Sequence, residues 1–389
     1  MSTSTLPPAK AQTAIPRPNE TETPTGGEPA PLSHAFANRI DPPLKSPRYV
    51  YQSAQESILR PYYQRWVWDP MLSVIPNRIS PNTLTGISTL CCAGSFILAA
   101  TASSSSAAMV AASVGVFAYL SLDNMDGAHA RNTGQSSRLG EFLDHWLDTL
   151  NNGFVILGAC LAVGLSPFFT LLVLSTGTLA FFAVQLELQH TGVFRMGRVA
   201  DIEGNTAVSG LYLLIAALGP GFFELTPMRG GPSLAVLLGS GVMGQALWTF
   251  ASALWRLEIG RKDTFPLVLY LTALIVWGVL PESDSMTGVG SALLAAGFFS
   301  NPVFTSRPIL DRLRGISTAG IDRFVVGLVW GATCLAAAGF SGAPQLAWAV
   351  SGIMAVLTLR YAYTTTSALR NEPPVADVAP TLDETQRSG

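Results

Sequence analysis

Residues 106–148 read SAAMVAASVGVFAYLSLDNMDGAHARNTGQSSRLGEFLDHWLD. The stretch begins with 17 residues, 106–122, that carry no charged side chain, and four aspartates follow them. A helix needs about 20 apolar residues, with a range of roughly 17 to 25, to cross the hydrocarbon core of a bilayer. The stretch therefore predicts a membrane-crossing helix that leads directly into an acidic segment.

Apolar runs of the same length recur on both sides of this stretch. The loops between them are short and rich in turn-forming residues, as at Gly219–Pro220 and Gly230–Gly231–Pro232. We therefore predict an all-α protein, a polytopic integral membrane helical bundle of about ten transmembrane helices. The runs cover about 83–102, 106–122, 140–164, 167–188, 205–221, 232–255, 265–281, 286–300, 322–341 and 344–363.

The composition excludes several classes of protein. Of the 389 residues, 49% are hydrophobic and 12% are charged, and the mean hydropathy is +0.36. Because soluble domains carry about 25% charged residues, the chain has too few charges to coat a water-facing surface. The net charge of -2 is too small to attract nucleic acid through a bulk field, so we expect no nucleic-acid partner. The four cysteines lie inside apolar runs, without the spacing of a metal site.

The placement of basic residues tests the number of helices independently. With ten spans, the two tails and every second loop share one side of the membrane. Arg229 is then the only basic residue in the loops of the other side. Because basic residues concentrate on the cytoplasmic side of membrane proteins, both termini are predicted to be cytoplasmic.

The ends of the chain differ from its membrane part. Residues 1–50 are rich in Pro, Ser, Thr and Glu, and we predict that they form a disordered cytoplasmic tail, as do residues 371–389. Residues 51–80 mix aromatic and basic side chains, which favours either an interfacial amphipathic helix or a soluble helix packed on the first span. The rest divides into a core with the acidic segment at 81–222 and additional transmembrane helices at 223–370.

Four aspartates form two pairs on consecutive predicted helices. Asp123 and Asp126 are three residues apart, so they lie on one helical face. Asp144 and Asp148 are four apart and share a face of the next helix. Antiparallel packing of the two helices brings both pairs together near the cytoplasmic boundary. Four carboxylates in a poorly hydrated site cannot all stay ionised unless cations neutralise them.

The residues around these aspartates favour phosphate chemistry. Oxygen ligands select Mg²⁺, Mn²⁺ or Ca²⁺ over zinc, and two metal ions can stabilise the attacking and leaving oxygens of a phosphoryl transfer. Arg131 supplies a fixed cation for phosphate, while Gly127 and Gly140 leave room for a ligand near the backbone. A solvated helix cap is the alternative for any single aspartate, but the whole set indicates metal-assisted phosphoryl transfer.

The spacing of these residues resembles the signature of the CDP-alcohol phosphotransferase superfamily, also called CDP-alcohol phosphatidyltransferase class-I. The resemblance covers about Asn82 to Asp148. The matching pattern is Asp123-x2-Asp126-Gly127-x2-Ala130-Arg131-x8-Gly140-x3-Asp144-x3-Asp148.

Within this superfamily the chain looks most like the choline/ethanolamine phosphotransferase branch. Three segments carry the likeness: SPNTLT at 80–85, LGEFLDH at 139–145, and TGVFRMG at 191–197 with the Glu203 that follows. There are two departures. Trp146-Leu147 stands where the branch has Gly-Cys, and no Asp-Val-Thr-Glu surrounds Glu203.

The resemblance implies a role for each signature residue. Two Mg²⁺ or Mn²⁺ ions would be held by Asp123, Asp126, Asp144 and Asp148. Asp148 would also be the catalytic general base, and His145 would hydrogen-bond near the metal-binding acids without ligating the ions.

Two further sets of residues would bind the substrates. The CDP moiety would contact Asn82, Gly127, Ala130, Arg131 and Gly140. The acceptor would be near Glu187, His190 and Glu203, although these three could equally be solvated loop or helix-end residues.

The resemblance implies an enzyme of phospholipid biosynthesis. It would transfer a phospho-alcohol headgroup, such as phosphocholine or phosphoethanolamine, from a CDP-alcohol to a lipid hydroxyl and release CMP, with diacylglycerol as the expected acceptor. One alternative is phosphatidyl transfer from CDP-diacylglycerol to a small polar alcohol. A more distant alternative is a cation transporter, although its acidic residues should be distributed over several spans near mid-bilayer.

Such an enzyme is a multi-pass membrane protein with membrane lipids among its partners. We expect it in the cell membrane of a prokaryote, or in the endoplasmic reticulum or Golgi of a eukaryote, with the active site on the cytoplasmic side. Gly239, Gly241 and Gly244 lie along one predicted span. Because small residues permit close helix contacts, they favour either a homodimer or close packing within one chain.

Overall fold

A computed structural model describes residues 52–55, 57–197, 201–257, 261–280, 288–314 and 322–370. All of them belong to one compact unit, residues 49–389. The two tails predicted to be disordered, 1–50 and 371–389, lie outside the described residues. Helices dominate the described part of the chain, which confirms the predicted all-α class.

Ten helices of 14 to 28 residues form the body of the described protein. Each of them overlaps one of the ten predicted apolar runs, so the sequence predicts where every one of these helices lies. Two short helices precede them. In chain order the helices are α1 (Arg60–Tyr63), α2 (Asp69–Val74), α3 (Pro81–Thr101), α4 (Ser106–Thr133), α5 (Arg138–Ala162), α6 (Pro167–Thr191), α7 (Asp201–Leu218), α8 (Leu234–Arg256), α9 (Phe265–Gly278), α10 (Val289–Arg314), α11 (Asp322–Ala337) and α12 (Ala343–Leu369).

Serine side chains begin the four helices that surround the acidic segment. Ser80, Ser105, Ser137 and Ser166 each accept a hydrogen bond from the backbone N–H three residues later. Such a cap satisfies a donor that the helix itself leaves unpaired, and its loss costs about 1 kcal/mol. The loop sequences therefore set where α3, α4, α5 and α6 start.

Helix α4 is longer than its apolar run. Its 28 residues span about 42 Å, whereas the 17 apolar residues alone span about 26 Å at 1.5 Å per residue. The helix ends only at Gly134, whose φ of 65° is left-handed and favours glycine. The sequence predicts Asp123 and Asp126 at the helix exit, but they lie inside the helix, roughly two to three turns before its end.

Five helices are long and apolar enough to cross a membrane by length and composition: α3, α4, α6, α8 and α12. Helices α9 and α11 have only 14 and 16 residues, and α5, α7 and α10 are long enough but do not belong to these five. The described chain is thus built as an integral membrane protein. The count of ten transmembrane helices and the cytoplasmic position of both termini stay predictions.

Helix packing places the acidic segment between neighbouring helices. Helices α3 and α7 each contact both α4 and α5, so α4 and α5 are flanked on two sides. Helix α6 lies deeper and packs against α5, α8, α9 and α10. The largest apolar cluster lies on that side of the bundle, where buried side chains of α6 meet those of α9, α10, α11 and α12. The acidic turns of α4 and α5 are therefore held by helices on both flanks.

One pair of short strands occurs in the part of the chain that the structure describes. Strand β1 (Gln52–Gln55) pairs in parallel with strand β2 (Val193–Met196), which follows α6. Because β1 directly precedes α1, this pairing brings the N-terminal segment to the end of α6.

The predicted helix within residues 51–80 is present as α1, a π-helical turn at Gln64–Trp68, and α2. One face is packed, since Trp68 is buried in an apolar cluster with Leu120 of α4. The other face presents Tyr62 and Trp66, whose exposed fractions are 64% and 69%. The segment is therefore packed on the bundle and also carries exposed aromatic side chains, features of both sequence alternatives.

Candidate active site

Three of the four predicted metal ligands lie together. One carboxylate oxygen from each of Asp123, Asp144 and Asp148 lies within 4.8 Å of the other two. Asp123 comes from α4, whereas Asp144 and Asp148 come from successive turns of α5. The bundle therefore brings carboxylates from two helices to a single point.

The fourth aspartate, Asp126, lies beside this group. It is 5% exposed, and its Oδ2 accepts a hydrogen bond from the Thr85 hydroxyl on α3. Its negative charge acts on the other three aspartates, and Arg131 attracts it from one turn further along α4. Asp126 thus adds charge to the group while a side chain of α3 fixes its position.

The three clustered carboxylates have few protein partners. The Tyr119 hydroxyl lies 3.4 Å from Asp148 Oδ1, and Asp123 Oδ1 is buried without a hydrogen-bond partner among the described residues. None of the ion pairs in the described part of the chain includes a signature aspartate. Because like charges this close repel one another, the ionised form of this group would be stabilised by positive charge from outside the chain.

This donor set fits a divalent cation. Mg²⁺ is usually bound by one or two carboxylates together with substrate phosphates, and all donors here are carboxylate oxygens. The unpaired oxygen of Asp123 is a buried acceptor of the kind that an ion or water normally satisfies. The protein therefore has a buried group of acids compatible with metal binding.

The residues predicted to bind CDP lie on the first turns of α3 and α5 and on the last turns of α4. A methyl group at Gly140 would lie 3.1 Å from Asn82 Oδ1, so the glycine allows α3 and α5 to approach each other at their starts. The Arg131 guanidinium folds back along α4 toward Gly127. Ala130 is partly buried beside it. These five residues thus surround adjacent ends of three helices.

His145 is buried between α5, α6 and β2. Its Nδ1 lies 3.3 Å from Nε2 of Gln185, and its ring meets the edge of the Phe194 ring. Its nitrogens are not part of the group of ligand atoms formed by the three aspartates. The ring is thus placed to hydrogen-bond to α6.

Glu187 belongs to an ion-pair network. Its side chain is fully buried, and Arg256 of α8 donates from Nε to Oε1 at 2.7 Å and from Nη2 to Oε2 at 2.8 Å. Arg195 of β2 donates to Oε1 at 3.2 Å. Both carboxylate oxygens are therefore engaged within the chain, and they tie α6 to α8 and to β2.

Glu203 binds the N-terminal segment. Its Oε1 accepts hydrogen bonds from the Ser57 hydroxyl at 2.6 Å and from the backbone N–H groups of Ile58 at 2.8 Å and Leu59 at 3.1 Å. The carboxylate of α7 therefore caps the chain where it enters α1.

His190 lies at the end of α6, apart from the signature aspartates. Its Nε2 is 3.8 Å from Asp263 Oδ2. Both residues line a cavity of about 180 Å³ between α6 and α10, together with Arg307 and Asp311. The lining of this cavity contains none of the four signature aspartates.

Sequence reasoning missed three polar residues beside the aspartates. Asp201, the first residue of α7, acts electrostatically on Asp123, Asp144 and Asp148. It could have been found, because it is a carboxylate next to a predicted span, as the four signature aspartates are. Thr85 and Tyr119 lie inside apolar runs, where a single hydroxyl gives no signal.

Comparison with known proteins agrees with this geometry. The family model described as CDP-alcohol phosphatidyltransferase matches residues 78–238. Cholinephosphotransferase 1 of Gallus gallus is 31% identical over 204 residues, which are 50% of this chain and 59% of that protein. Cholinephosphotransferase 1 of Danio rerio is 30% identical over 229 residues, covering 57% and 58% of the two chains. A CDP-alcohol phosphatidyltransferase class-I family protein of Schizosaccharomyces pombe is 32% identical over 184 residues, covering 45% and 48%.

The chain therefore spans between about half and three fifths of the length of these curated relatives. The matched range 78–238 contains α3 to α7 and every residue of the signature. The cholinephosphotransferase matches support the choline/ethanolamine branch, as the segments at 80–85, 139–145 and 191–197 predict. On its signature, its acidic site and these matches, the region 78–238 of the chain is similar to the CDP-alcohol phosphatidyltransferase family.

Proposed function

We propose that the protein is a phospholipid-synthesising transferase that moves a phospho-alcohol headgroup from a CDP-alcohol to a lipid hydroxyl and releases CMP. One observation carries the proposal: Asp123, Asp144 and Asp148 place carboxylate oxygens within 4.8 Å of one another in an apolar helical bundle. The family supports the CDP-linked donor. The names of the cholinephosphotransferase relatives support a phosphocholine-like headgroup.

The acids would hold two Mg²⁺ or Mn²⁺ ions. Asp123, Asp144 and Asp148 supply the clustered oxygens, and Asp126 adds its charge from beside them. When bound, such ions neutralise the diphosphate and stabilise the oxygens that attack and leave during phosphoryl transfer.

Asp148 would act as the general base. Its carboxylate takes the proton of the acceptor hydroxyl, whose oxygen then attacks the phosphorus distal to cytidine. The bond between this phosphorus and the bridging oxygen breaks, and the bridging oxygen leaves as part of CMP. Tyr119, 3.4 Å from Asp148 Oδ1, keeps the carboxylate in place. A positioned base of this kind contributes about 10²- to 10⁴-fold to the rate.

The CDP end would lie at the helix starts. Asn82 and Gly140 form a narrow contact between α3 and α5. Arg131 offers a permanently charged guanidinium suited to phosphate, with Gly127 and Ala130 beside it on α4. Gly127 lies beside the Arg131 guanidinium, so a phosphate bound by Arg131 would lie close to the backbone of α4.

Residues predicted near the acceptor would act on it indirectly. The Glu187 carboxylate holds α8 and β2, and the Glu203 carboxylate holds the N-terminal segment. His190 lines the cavity between α6 and α10. We assign these residues to positioning of the elements around a diacylglycerol-like acceptor.

The protein would act as a multi-pass enzyme at the cytoplasmic face of a membrane, the cell membrane of a prokaryote or the endoplasmic reticulum or Golgi of a eukaryote. Exposed Tyr62 and Trp66 on the N-terminal helix suit the lipid headgroup level. A homodimer could use Gly241 and Gly244, beside which added methyl groups would meet no atom within 4 Å, whereas Gly239 packs on Phe169.

The donor preference decides this proposal. Membranes containing the protein are given CDP-choline, CDP-ethanolamine or CDP-diacylglycerol in turn, the first two with diacylglycerol and the third with small polar alcohols, and CMP release is measured. We expect CMP from CDP-choline or CDP-ethanolamine, and only when diacylglycerol is present. Release from CDP-diacylglycerol alone among the donors would establish phosphatidyl transfer instead.

A further inference from the structure

Asp201 lies next to the signature aspartates although it is outside the signature. It is the first residue of α7, a helix that contacts both α4 and α5. The following residue, Ile202, is buried in an apolar cluster with Leu120 and Met125. These two residues lie on either side of Asp123 in α4, so the start of α7 packs against the turn that carries Asp123.

The charge of Asp201 is directed at the site. It acts on Asp123, Asp144 and Asp148, the three aspartates whose oxygens cluster. Asn205, one turn further along α7, donates from Nδ2 to Asp201 Oδ1 at 2.7 Å. An amide donor therefore holds this carboxylate, and its negative charge is not cancelled by that bond.

The other carboxylate at the start of α7 has a different task. Glu203 accepts three hydrogen bonds from residues 57–59 at the entrance to α1. The same helical turn thus presents one acid to the site and another to the N-terminal segment.

We propose that Asp201 is a fifth acid of the divalent-cation site, a positioning residue that strengthens cation binding through its charge and by accepting hydrogen bonds from water or substrate groups on the ions. Direct ligation is not part of the proposal, because the group of oxygens within 4.8 Å in the described chain contains Asp123, Asp144 and Asp148 and not Asp201. This inference rests on the proposed function, since it takes the cations of that reaction as its ligand.

Mn²⁺ binding to the full chain in detergent, measured by electron paramagnetic resonance of free Mn²⁺, tests the inference without any turnover. Asp201→Asn should weaken Mn²⁺ binding about 10- to 100-fold, the usual effect of losing a group that supports metal ligands from outside. Asp201→Glu keeps the charge and should lose less than Asp201→Asn. Glu224→Gln, which removes an acidic charge beyond the other end of α7, should bind Mn²⁺ as the parent does.

Thermal unfolding without metal separates the charge from a structural role. The metal-free Asp201→Asn protein should unfold at the same temperature as the parent or higher, because one repelling charge is gone. An unfolding temperature well below the parent's, with a loss of Mn²⁺ affinity that Asp201→Glu shares in full, would make Asp201 a structural residue and overturn the inference.

The remaining outcomes distinguish this inference from the proposed function. Parent-like Mn²⁺ affinity in Asp201→Asn would overturn the role of Asp201 alone. Failure of the parent itself to bind Mn²⁺ would overturn the metal site of the proposed function, and the role of Asp201 with it.

Discussion

Two groups of acidic side chains at the same end of the bundle differ in whether basic side chains of the same chain pair with them. Asp123, Asp144 and Asp148 on α4 and α5 lie within 4.8 Å of one another without a basic partner among the described residues. Glu187 on α6 is fully buried, yet Arg256 binds both of its oxygens. One group has no counter-charge within the described chain, and the other is neutralised inside it.

The difference shows which acids are structural. A buried carboxylate must be paired, because removing a charge from water costs several kcal/mol. Glu187 meets this requirement with arginines of the same chain, so it can fasten helices. The aspartates of α4 and α5 leave the requirement to something that binds them, which is the physical condition for a cation site.

The largest expected effect comes from the unpaired group. Asp148→Asn should lower CMP release by about 10²- to 10⁴-fold, since an amide cannot take the proton of the acceptor hydroxyl. Binding of the CDP-alcohol, measured by calorimetry, should survive because Asp123 and Asp144 remain. Turnover in this variant comparable to the parent would remove the base assignment.

Metal should stabilise the first group and not the second. Adding Mn²⁺ at 100 times its dissociation constant should raise the free energy of unfolding of the parent by about 2.7 kcal/mol, as measured by denaturation in detergent. Asp123→Asn should lose this gain, whereas Glu187→Gln should keep it.

Exhaustive chelation should also stop CMP release, so full turnover after chelation would refute the metal site.

Removing the charge of Glu187 tests whether its ion pair with Arg256 stabilises the fold. Glu187→Gln should destabilise the fold by about 2 kcal/mol, less than the roughly 3–5 kcal/mol of a wholly buried pair, because the Arg256 side chain is 32% exposed. The fold is destabilised because Arg256 and Arg195 both lose the carboxylate that they bind. A double-mutant cycle with Arg256→Gln should give a favourable interaction free energy between Glu187 and Arg256. Stability of Glu187→Gln equal to that of the parent would contradict the ion-pair network.

The smallest effect is expected at the N-terminal segment. Glu203→Gln replaces a charged acceptor by a neutral one, which should weaken the cap on Ile58 and Leu59 by about 1 kcal/mol. Hydrogen exchange of these two amides should become faster while that of α4 and α5 stays unchanged. Equal protection of both amides in variant and parent would show that Glu203 does not hold the segment.

The sequence predicts much of the fold because apolar run length is a local property. Each of the ten runs overlaps a helix in the structure. The end of α4 is missed, since apolar length stops at residue 122 whereas the backbone continues helically to Gly134.

Trp146, a departure from the choline/ethanolamine branch, is explained only by the fold: it is 6% exposed and its Nε1 donates to Ser306 Oγ of α10 at 3.0 Å.

The site was predicted in the same uneven way. Spacing and antiparallel packing predict that both pairs of aspartates converge, and in the structure the oxygens of Asp123, Asp144 and Asp148 lie together with Asp126 beside them. Spacing gives no sign that Asp126 pairs with Thr85 or that Asp201 faces the group, because both relations cross between helices.

The amino-acid sequence by itself determined the membrane-length helices, the shortage of surface charge and the acidic signature, because each depends on residues within a few turns of one another. Only the tertiary structure decided which acids are neutralised. Glu187 meets Arg256 across 69 residues, and Glu203 meets Ser57 across 146 residues. The free energy of a buried carboxylate depends on the charges and donors that packing brings to it, and local spacing does not encode those partners.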